Sequence, residues 1–370
     1  ISRWTLRAPT FIATVFTAML VWWFARRRWG PLAGLAAGIA YPTMAMVLDI
    51  GRRAETEPQF TLFLSGALLL WQDLYHRARP ALQHFIVGYG ICALAALTKG
   101  TQAPVAFIGM VILVLATRKD WRTLFSLSHL AGIVTFVTVV AIWQVPSLMA
   151  TGATGFWQTW FLEASNRTQG GIEFLTHLFE FPFEFFVQIF PWGVVLTLYA
   201  PLVSRSRLAA SDKADINSLV LTLAAIVIPV WLVAAARPRY VMPALPIVAI
   251  LVGIAVSKCA SETGSGTFPR WMKWTTRALA MLMVIGVVGM AAVGATTNEN
   301  SSPMIQYLSI PIWAAVLQGF VGIAAGFLVF STSGDASESA LRLSVLAVGV
   351  FIAVLSVCTI SSVYVNRTRD

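Results

Sequence analysis

The sequence is poor in charge and in cysteine. Only 11% of its 370 residues are Asp, Glu, Lys or Arg, against roughly one-quarter in soluble domains, which excludes a water-soluble enzyme. The three cysteines, Cys92, Cys259 and Cys358, lie beside or within apolar stretches and lack metal-ligand spacing, so they indicate neither a disulfide framework nor a zinc site. Glycine-rich phosphate loops and nucleotide fingerprints are missing, which leaves nucleotide-sugar use and ATP-driven transport unsupported.

What the chain has in abundance is apolar sequence: 58% of its residues are hydrophobic and the mean hydropathy is +0.76. A transmembrane helix needs about 20 mostly apolar residues, and helices satisfy their backbone amides within one segment. We therefore predict an all-α polytopic membrane protein with about 12 transmembrane helices. The predicted spans are 9–25, 31–49, 58–74, 81–98, 101–117, 127–149, 184–203, 216–236, 240–257, 277–296, 304–330 and 343–364.

The basic residues are distributed unevenly between the two sides that alternating loops define. The connections after odd-numbered spans hold 16 of the 26 basic residues and have a net charge of +9, whereas the other side, with both termini, has a net charge of +1. The positive-inside rule makes the first side cytoplasmic. The termini and a long loop at 150–183 are then predicted to face outward, and the strongly basic composition reflects cytoplasmic loops rather than a nucleic-acid partner.

The outward charges form four groups on one predicted face. They lie in the stretches Asp49 to Glu57, Leu97 to Gly100, Glu163 to Arg167 and Arg237 to Tyr240. Glu55 and Glu57 would be about 200° apart on a helix, so we expect only one of them to face a given cavity.

Two interpretations of these groups stay open on the residues alone. Arginine, lysine and tyrosine are common membrane-interface anchors. Arginine and lysine are also the preferred cationic partners of phosphate, and four groups converging on one face favour a phosphate site in the outer leaflet. The residues predicted to bind the phosphate are Arg53, Lys99, Arg167, Arg237, Arg239 and Tyr240.

At these residues the chain resembles the lipid-linked-sugar glycosyltransferases of the membrane-embedded C superfamily, in the branch of the bacterial aminoarabinose-lipid A transferases and protein mannosyltransferase-like proteins. The matching stretches occur in family order from residue 4 to about 250. They are Trp4-Thr-Leu-Arg-Ala-Pro9, Arg27-Arg-Trp-Gly30, Arg53-Ala-Glu-Thr-Glu57, Leu97-Thr-Lys-Gly100, Pro191-Trp192 and Arg237-Pro-Arg-Tyr-Val-Met-Pro-Ala-Leu-Pro246.

The resemblance implies an outward cavity in which a polyprenyl-phosphate sugar gives up its sugar to a lipid, glycan or protein acceptor at the outer face of the bacterial cytoplasmic membrane. It places Arg167 and Tyr240 where the family holds the lipid phosphate. It places Glu57 where the family usually has an aspartate near the acceptor, which implies that Glu57 is a supporting catalytic carboxylate. The family's catalytic base lies in a first outward loop that would precede Ile1, so an N-terminal piece is expected to be missing. Residues 1–260 are then a glycosyltransferase-like core, and residues 261–370 add further transmembrane helices.

Two functions of other classes remain open at this point: a membrane transporter or lipid flippase, and a non-catalytic fragment that binds lipid phosphate. Ion-coupled transporters commonly place carboxylates inside spans near the midplane, whereas every Asp and Glu here falls at a predicted span end or in a loop, which favours the enzyme. The sequence indicates no certain cofactor and leaves a divalent metal open. Polyprenyl-phosphate-linked sugar, an acceptor and membrane lipids are the expected partners, in lipopolysaccharide or other cell-envelope glycan biosynthesis.

Overall fold

The computed structural model describes residues 3–51, 53–157, 172–205, 209–233, 236–263, 274, 277, 281, 312–332 and 344–352. These residues form helices joined by short turns, and they contain no strand. The predicted all-α class is confirmed.

Thirteen helices are bounded within the described residues, and a further helical stretch covers 344–352. They are α1 (Arg3–Trp29), α2 (Pro31–Ala40), α3 (Ala45–Ile50), α4 (Glu57–His76), α5 (Ala81–Lys99), α6 (Gln102–Thr117), α7 (Trp121–Leu124), α8 (Leu127–Trp157), α9 (Ile172–Gln188), α10 (Trp192–Arg205), α11 (Ala210–Trp231), α12 (Leu245–Thr263) and α13 (Ile312–Thr332). Two 3₁₀ segments, Tyr41–Thr43 and Pro238–Ala244, interrupt this series.

Several of these helices have the length and the apolar composition of membrane-spanning helices. Among the described residues, five are long and apolar enough to cross a membrane, and six if the bent pair α9 and α10 counts as one span. The chain is thus a membrane protein, while the count of 12 spans stays a prediction. The predicted span 277–296 lies almost wholly outside the described residues, as does most of 343–364.

One predicted span, 31–49, is wrong as a continuous helix. The helical hydrogen bonds end at the 3₁₀ turn Tyr41–Thr43, and Met44 is extended with φ −69° and ψ 143° before α3 begins. Pro42 within the turn has no amide hydrogen and cannot continue the helical pattern. Hydropathy detects the apolar stretch but cannot detect this interruption.

The predicted span 184–203 is also wrong as a straight helix. Its residues belong to two helices, α9 and α10, that meet at an angle of 98°. The bend between α9 and α10 contacts the break between α2 and α3. The amide of Ala45 donates to the carbonyl of Phe190 at 3.0 Å, and the indole of Trp192 donates to Thr43 Oγ1 at 2.7 Å. α8 extends to Trp157 and α9 begins at Ile172, and the Phe179 side chain of α9 is strongly exposed. The predicted loop 150–183 is therefore helical at both ends.

The core is formed where α4 packs against α1 and α5, α5 against α8, and α12 against α2. Gly253 of α12 shows how close the last pair lies, since a β-carbon there would stand 2.3 Å from the carbonyl oxygen of Ala33. Small residues allow helices in membranes to approach in this way. Large side chains such as Trp71 and Tyr89 fill the remaining space and are almost fully buried.

Charged side chains of the described helices gather at both ends of this bundle. At the predicted cytoplasmic end, Asp215 of α11 accepts a hydrogen bond from Arg28 Nη1 at 2.9 Å. It also lies 2.9 Å from His76 Nδ1 and 3.8 Å from Arg118. Asp73 lies 3.8 Å from Arg28. We call these five residues the Asp215 cluster. The opposite end of α4 carries the candidate site.

Candidate functional site

The site begins at Glu57, the first residue of α4. Pro58 follows at the first turn, where its missing amide hydrogen costs nothing and its fixed backbone angle suits a helix start. The positive end of the helix dipole favours a carboxylate at this position. The Glu57 side chain is only 4% exposed, so its charge requires partners close by.

Lys99 provides the first partner. It is the last residue of α5, and Gly100, with φ +81°, turns the chain directly into α6. Lys99 Nζ donates a hydrogen bond to Glu57 Oε1 at 3.1 Å, and it lies 4.4 Å from the centre of the Tyr240 ring. A lysine that sequence alone places at a short turn thus points into the bundle rather than toward headgroups.

Arg239 provides the second partner from the 3₁₀ segment Pro238–Ala244. Its Nη1 donates to Glu55 Oε2 at 2.8 Å, and its Nε lies 3.0 Å from Glu57 Oε1. The hydrogen on Nε is not directed at Glu57 Oε1, so this short contact is not a hydrogen bond. Among the described residues, the buried Nε–H group has no aligned acceptor. The guanidinium therefore keeps a donor that another anion could use.

Tyr240 is held by its backbone as well as by its ring. Gln102, in the first turn of α6, donates its side-chain amide to the Tyr240 carbonyl oxygen at 2.8 Å. The tyrosine is 8% exposed. Since Gln102 lies three residues after Lys99, one tight turn fixes both the lysine and the tyrosine. We call Glu55, Glu57, Lys99, Arg239 and Tyr240 the Glu57 cluster.

The expectation that only one of Glu55 and Glu57 faces the cavity is wrong. Both line it, and both contact Arg239. The angular separation of two positions on a helix does not apply, because α4 starts at Glu57 and Glu55 lies in the preceding loop.

The Glu57 cluster lines a cavity of about 900 Å³, large enough for a sugar and a phosphate. Within the described residues the cluster combines two cations with two carboxylates. The remaining lining combines apolar side chains with polar ones, among them Gln102 of α6 and two residues of α8. It includes Val105, Trp143, Gln144, Ser147, Pro229 and Val233.

The structure separates the residues that the sequence predicted for one site. Glu57, Lys99, Arg239 and Tyr240 lie together. Arg53 instead pairs with Asp49 on the surface, where both side chains are more than half exposed, and it does not line the cavity. Arg237 is also not among the lining residues. Arg167 lies outside the described residues.

Sequence reasoning missed Gln102 and the α8 residues Trp143, Gln144 and Ser147. The signal for Gln102 was its position in the same short turn as Lys99. Gln144 and Ser147 are three residues apart and therefore share one face of α8, yet both lie within an apolar stretch that the sequence explains as a span. No cluster of three or more His, Cys, Asp or Glu suited to a metal ion occurs in the described part of the chain.

The sequence of this chain is similar to a known protein family and to curated enzymes. The model of the family described as dolichyl-phosphate-mannose-protein mannosyltransferase matches residues 2–143. The undecaprenyl phosphate-alpha-4-amino-4-deoxy-L-arabinose arabinosyl transferase of Edwardsiella ictaluri (strain 93-146) is 26% identical over 298 residues, which is 79% of this chain and 51% of that protein. The enzyme of the same name from Enterobacter sp. (strain 638) is 22% identical over 333 residues, 85% of this chain and 58% of that protein.

Solved structures share the fold. The crystal structure of ArnT from Cupriavidus metallidurans bound to undecaprenyl phosphate superposes with a TM-score of 0.73 at 16% identity, covering 97% of this chain and 64% of that one. Its apo state gives a TM-score of 0.65 at 18% identity, covering 95% and 62%. The chain spans about half the length of the curated relatives it matches. Together these findings confirm the resemblance found in the sequence: the chain is a membrane protein that shares the fold of the ArnT structures and is similar in sequence to the aminoarabinose transferases.

Proposed function

We propose that this protein transfers a sugar from a polyprenyl-phosphate donor to a lipid or glycan acceptor at the outer face of the cytoplasmic membrane. The observation that carries the proposal is the pair of cations, Lys99 and Arg239, that meets Tyr240 and Glu57 in one cavity. The relatives named for undecaprenyl-phosphate aminoarabinose support this donor class, and the resemblance found in the sequence implies a lipid acceptor of the lipid A kind.

The cations suit the leaving group of such a reaction. When the bond between the anomeric carbon and the phosphate oxygen breaks, the electron pair stays with the phosphate, which gains negative charge. Preorganised donors aimed at that charge lower the barrier. Lys99 supplies a point charge, Arg239 a planar fork and Tyr240 a neutral hydroxyl donor. Arg167, outside the described residues, keeps the same proposed role from the resemblance.

The acceptor needs the opposite chemistry, because its hydroxyl must lose a proton as it attacks. A carboxylate in the cavity can accept that proton or orient the hydroxyl. Glu57 is the buried carboxylate beside the cations, and we assign it the supporting role on the acceptor side. The polar pair Gln144 and Ser147 lines the same cavity and provides groups able to hydrogen-bond sugar hydroxyls.

The distribution of carboxylates argues against ion-coupled transport. In the five apolar helices of the described residues, the Asp and Glu residues are Asp212 and Asp215, both in the first two turns of α11. A transporter that couples to ions usually has such groups near the bilayer midplane. In these five helices the charged side chains instead lie near the helix ends.

The proposal is tested with Lys99→Met in the full-length protein, assayed for transfer of labelled sugar from polyprenyl phosphate to a lipid acceptor in membranes. Loss of one charge-assisted contact is worth about 1.5–3 kcal/mol, so transfer should fall roughly tenfold to a hundredfold.

Lys258→Met is the matched control. Lys258 also lies in the last turns of a helix and pairs with a carboxylate, Asp212, at the other end of the molecule, and its loss should leave transfer unchanged. If both variants transferred sugar as fast as the wild type, the Glu57 cluster would not be the phosphate site.

A further inference from the structure

The cations of the Glu57 cluster are paired with carboxylates in the structure. Glu57 Oε1 lies 3.1 Å from Lys99 Nζ and 3.0 Å from Arg239 Nε, so one oxygen atom is shared by both cations. This carboxylate oxygen has the charge, the size and the distances that a phosphate oxygen between the same two cations would have.

The second carboxylate of the cluster is placed differently. Glu55 pairs with Arg239 at 2.8 Å, and its side chain is 25% exposed against 4% for Glu57. Exposed ion pairs contribute little because water screens them, whereas an ion pair away from water interacts strongly. Glu57 is therefore the carboxylate that decides how available the two cations are to another anion.

A phosphate that enters between Lys99 and Arg239 adds negative charge beside a buried carboxylate. Like charges within a few ångströms repel, and each disfavours the charged form of the other. Both anions cannot keep the contacts that Glu57 makes in the structure, so phosphate binding requires Glu57 to give up part of its ion pairing.

We propose that Glu57 is a built-in competitor of the lipid phosphate: it neutralises Lys99 and Arg239 between turnovers and weakens the hold of the site on the phosphate product. This rests on the proposed function. Because the product phosphate monoester carries more negative charge than the phosphodiester donor, it gains more from the same cations. A competing carboxylate limits that gain and promotes release of the product.

The test is the affinity of the full-length protein in detergent for undecaprenyl phosphate, measured at fixed salt for the wild type and for Glu57→Gln. The amide keeps the shape of the side chain and removes its charge. If one charge-assisted interaction is freed for the phosphate, binding should tighten by about tenfold or more. If the role of Glu57 is purely structural, Glu57→Gln should bind undecaprenyl phosphate as tightly as the wild type or less tightly.

Three controls sharpen the measurement. Glu55→Gln removes the more exposed carboxylate, and we expect a gain below threefold. Farnesol, which has a prenyl tail and no phosphate, should bind the wild type and Glu57→Gln equally. Glu57→Asp keeps the charge but ends one methylene short of both cations, so it should bind more tightly than the wild type and less tightly than Glu57→Gln; it decides the matter alone if the amide variant does not fold.

The outcomes separate the two proposals. If the wild type binds undecaprenyl phosphate and Lys99→Met weakens that binding, while Glu57→Gln and Glu57→Asp bind equally to the wild type or less tightly, the competitor role is overturned and the phosphate site stands. If the wild type does not bind the lipid phosphate, both proposals fall.

Discussion

The Glu57 and Asp215 clusters stand at opposite ends of α4, about 30 Å apart for a helix of 20 residues. Each contains two cations and two carboxylates among the described residues. The Asp215 cluster converges on one carboxylate shared by Arg28, His76 and Arg118. The Glu57 cluster faces a cavity of about 900 Å³, whereas the opening beside His76 and Arg118 measures about 370 Å³.

The difference teaches that charge composition alone does not identify a functional site in a membrane protein. At the Asp215 cluster the charges join the ends of α1, α4, α6 and α11 and pair with one another between packed helices. A cation over an aromatic ring and a buried guanidinium N–H without an aligned acceptor occur at both clusters, and the Glu57 cluster differs in lining the larger cavity. We therefore expect stability to depend on the first cluster and transfer on the second.

The largest effect is expected for Asp215→Asn. The substitution leaves Arg28 and Arg118 without their shared carboxylate. Removing one partner from a buried ion pair costs about 3–5 kcal/mol, and the 20% exposure of Asp215 lowers our expectation to about 2–3 kcal/mol. Thermal unfolding in detergent measures it, and transfer per folded molecule should stay at the wild-type level.

Asp212→Asn is the matched comparison for that prediction. Asp212 lies one turn earlier on the same helix and pairs with Lys258, where both side chains are more than 20% exposed. Its loss should cost less than about 1 kcal/mol. Equal destabilisation by the two substitutions would show that the Asp215 cluster has no special role in holding the helices together.

The next effect is smaller and is expected at the other end of the molecule. Tyr240→Phe removes a hydroxyl from the cavity and keeps the ring beneath Lys99. Transfer should fall about tenfold, as expected for one lost hydrogen bond to a charged group, with unchanged thermal unfolding. Steady-state transfer assays in membranes measure the loss.

Tyr75→Phe should have the opposite effect to Tyr240→Phe: lower stability with unchanged transfer. Tyr75 donates its hydroxyl to Asp120 at 3.1 Å, near Arg118 of the Asp215 cluster. Its removal should cost about 0.5–1.5 kcal/mol of stability and leave transfer unaffected. A loss of transfer in Tyr75→Phe, with none in Tyr240→Phe, would break the comparison.

Much of the fold could be predicted from the sequence because hydropathy reports directly on membrane helices. The predicted spans 58–74, 81–98 and 101–117 agree with α4, α5 and α6 to within three residues. The two wrong spans contain Pro42 and Pro191 near their breaks. What the sequence could not provide was the tertiary contacts, such as the one from Trp192 to Thr43, that stabilise the irregular backbone.

Part of the candidate site could be predicted for a different reason. Charged groups at short turns predicted to face outward suggested a shared cavity, and four of the predicted residues line it: Glu57, Lys99, Arg239 and Tyr240. Arg53 looked equivalent in sequence, yet its i−4 neighbour Asp49 holds it at the surface. Which charge pairs with which depends on helix packing. The shared Glu57 oxygen, on which the competitor proposal depends, therefore had no signal in the sequence.

The most direct test of the central claim, that the Glu57 cluster holds a lipid phosphate, is an experimental structure of the full-length protein with undecaprenyl phosphate bound. We expect the phosphate within hydrogen-bond distance of Lys99 Nζ and the Arg239 guanidinium, with the Glu57 carboxylate moved away from at least one of them. A phosphate bound at the Asp215 cluster, or anywhere out of reach of both Lys99 and Arg239, would contradict the claim.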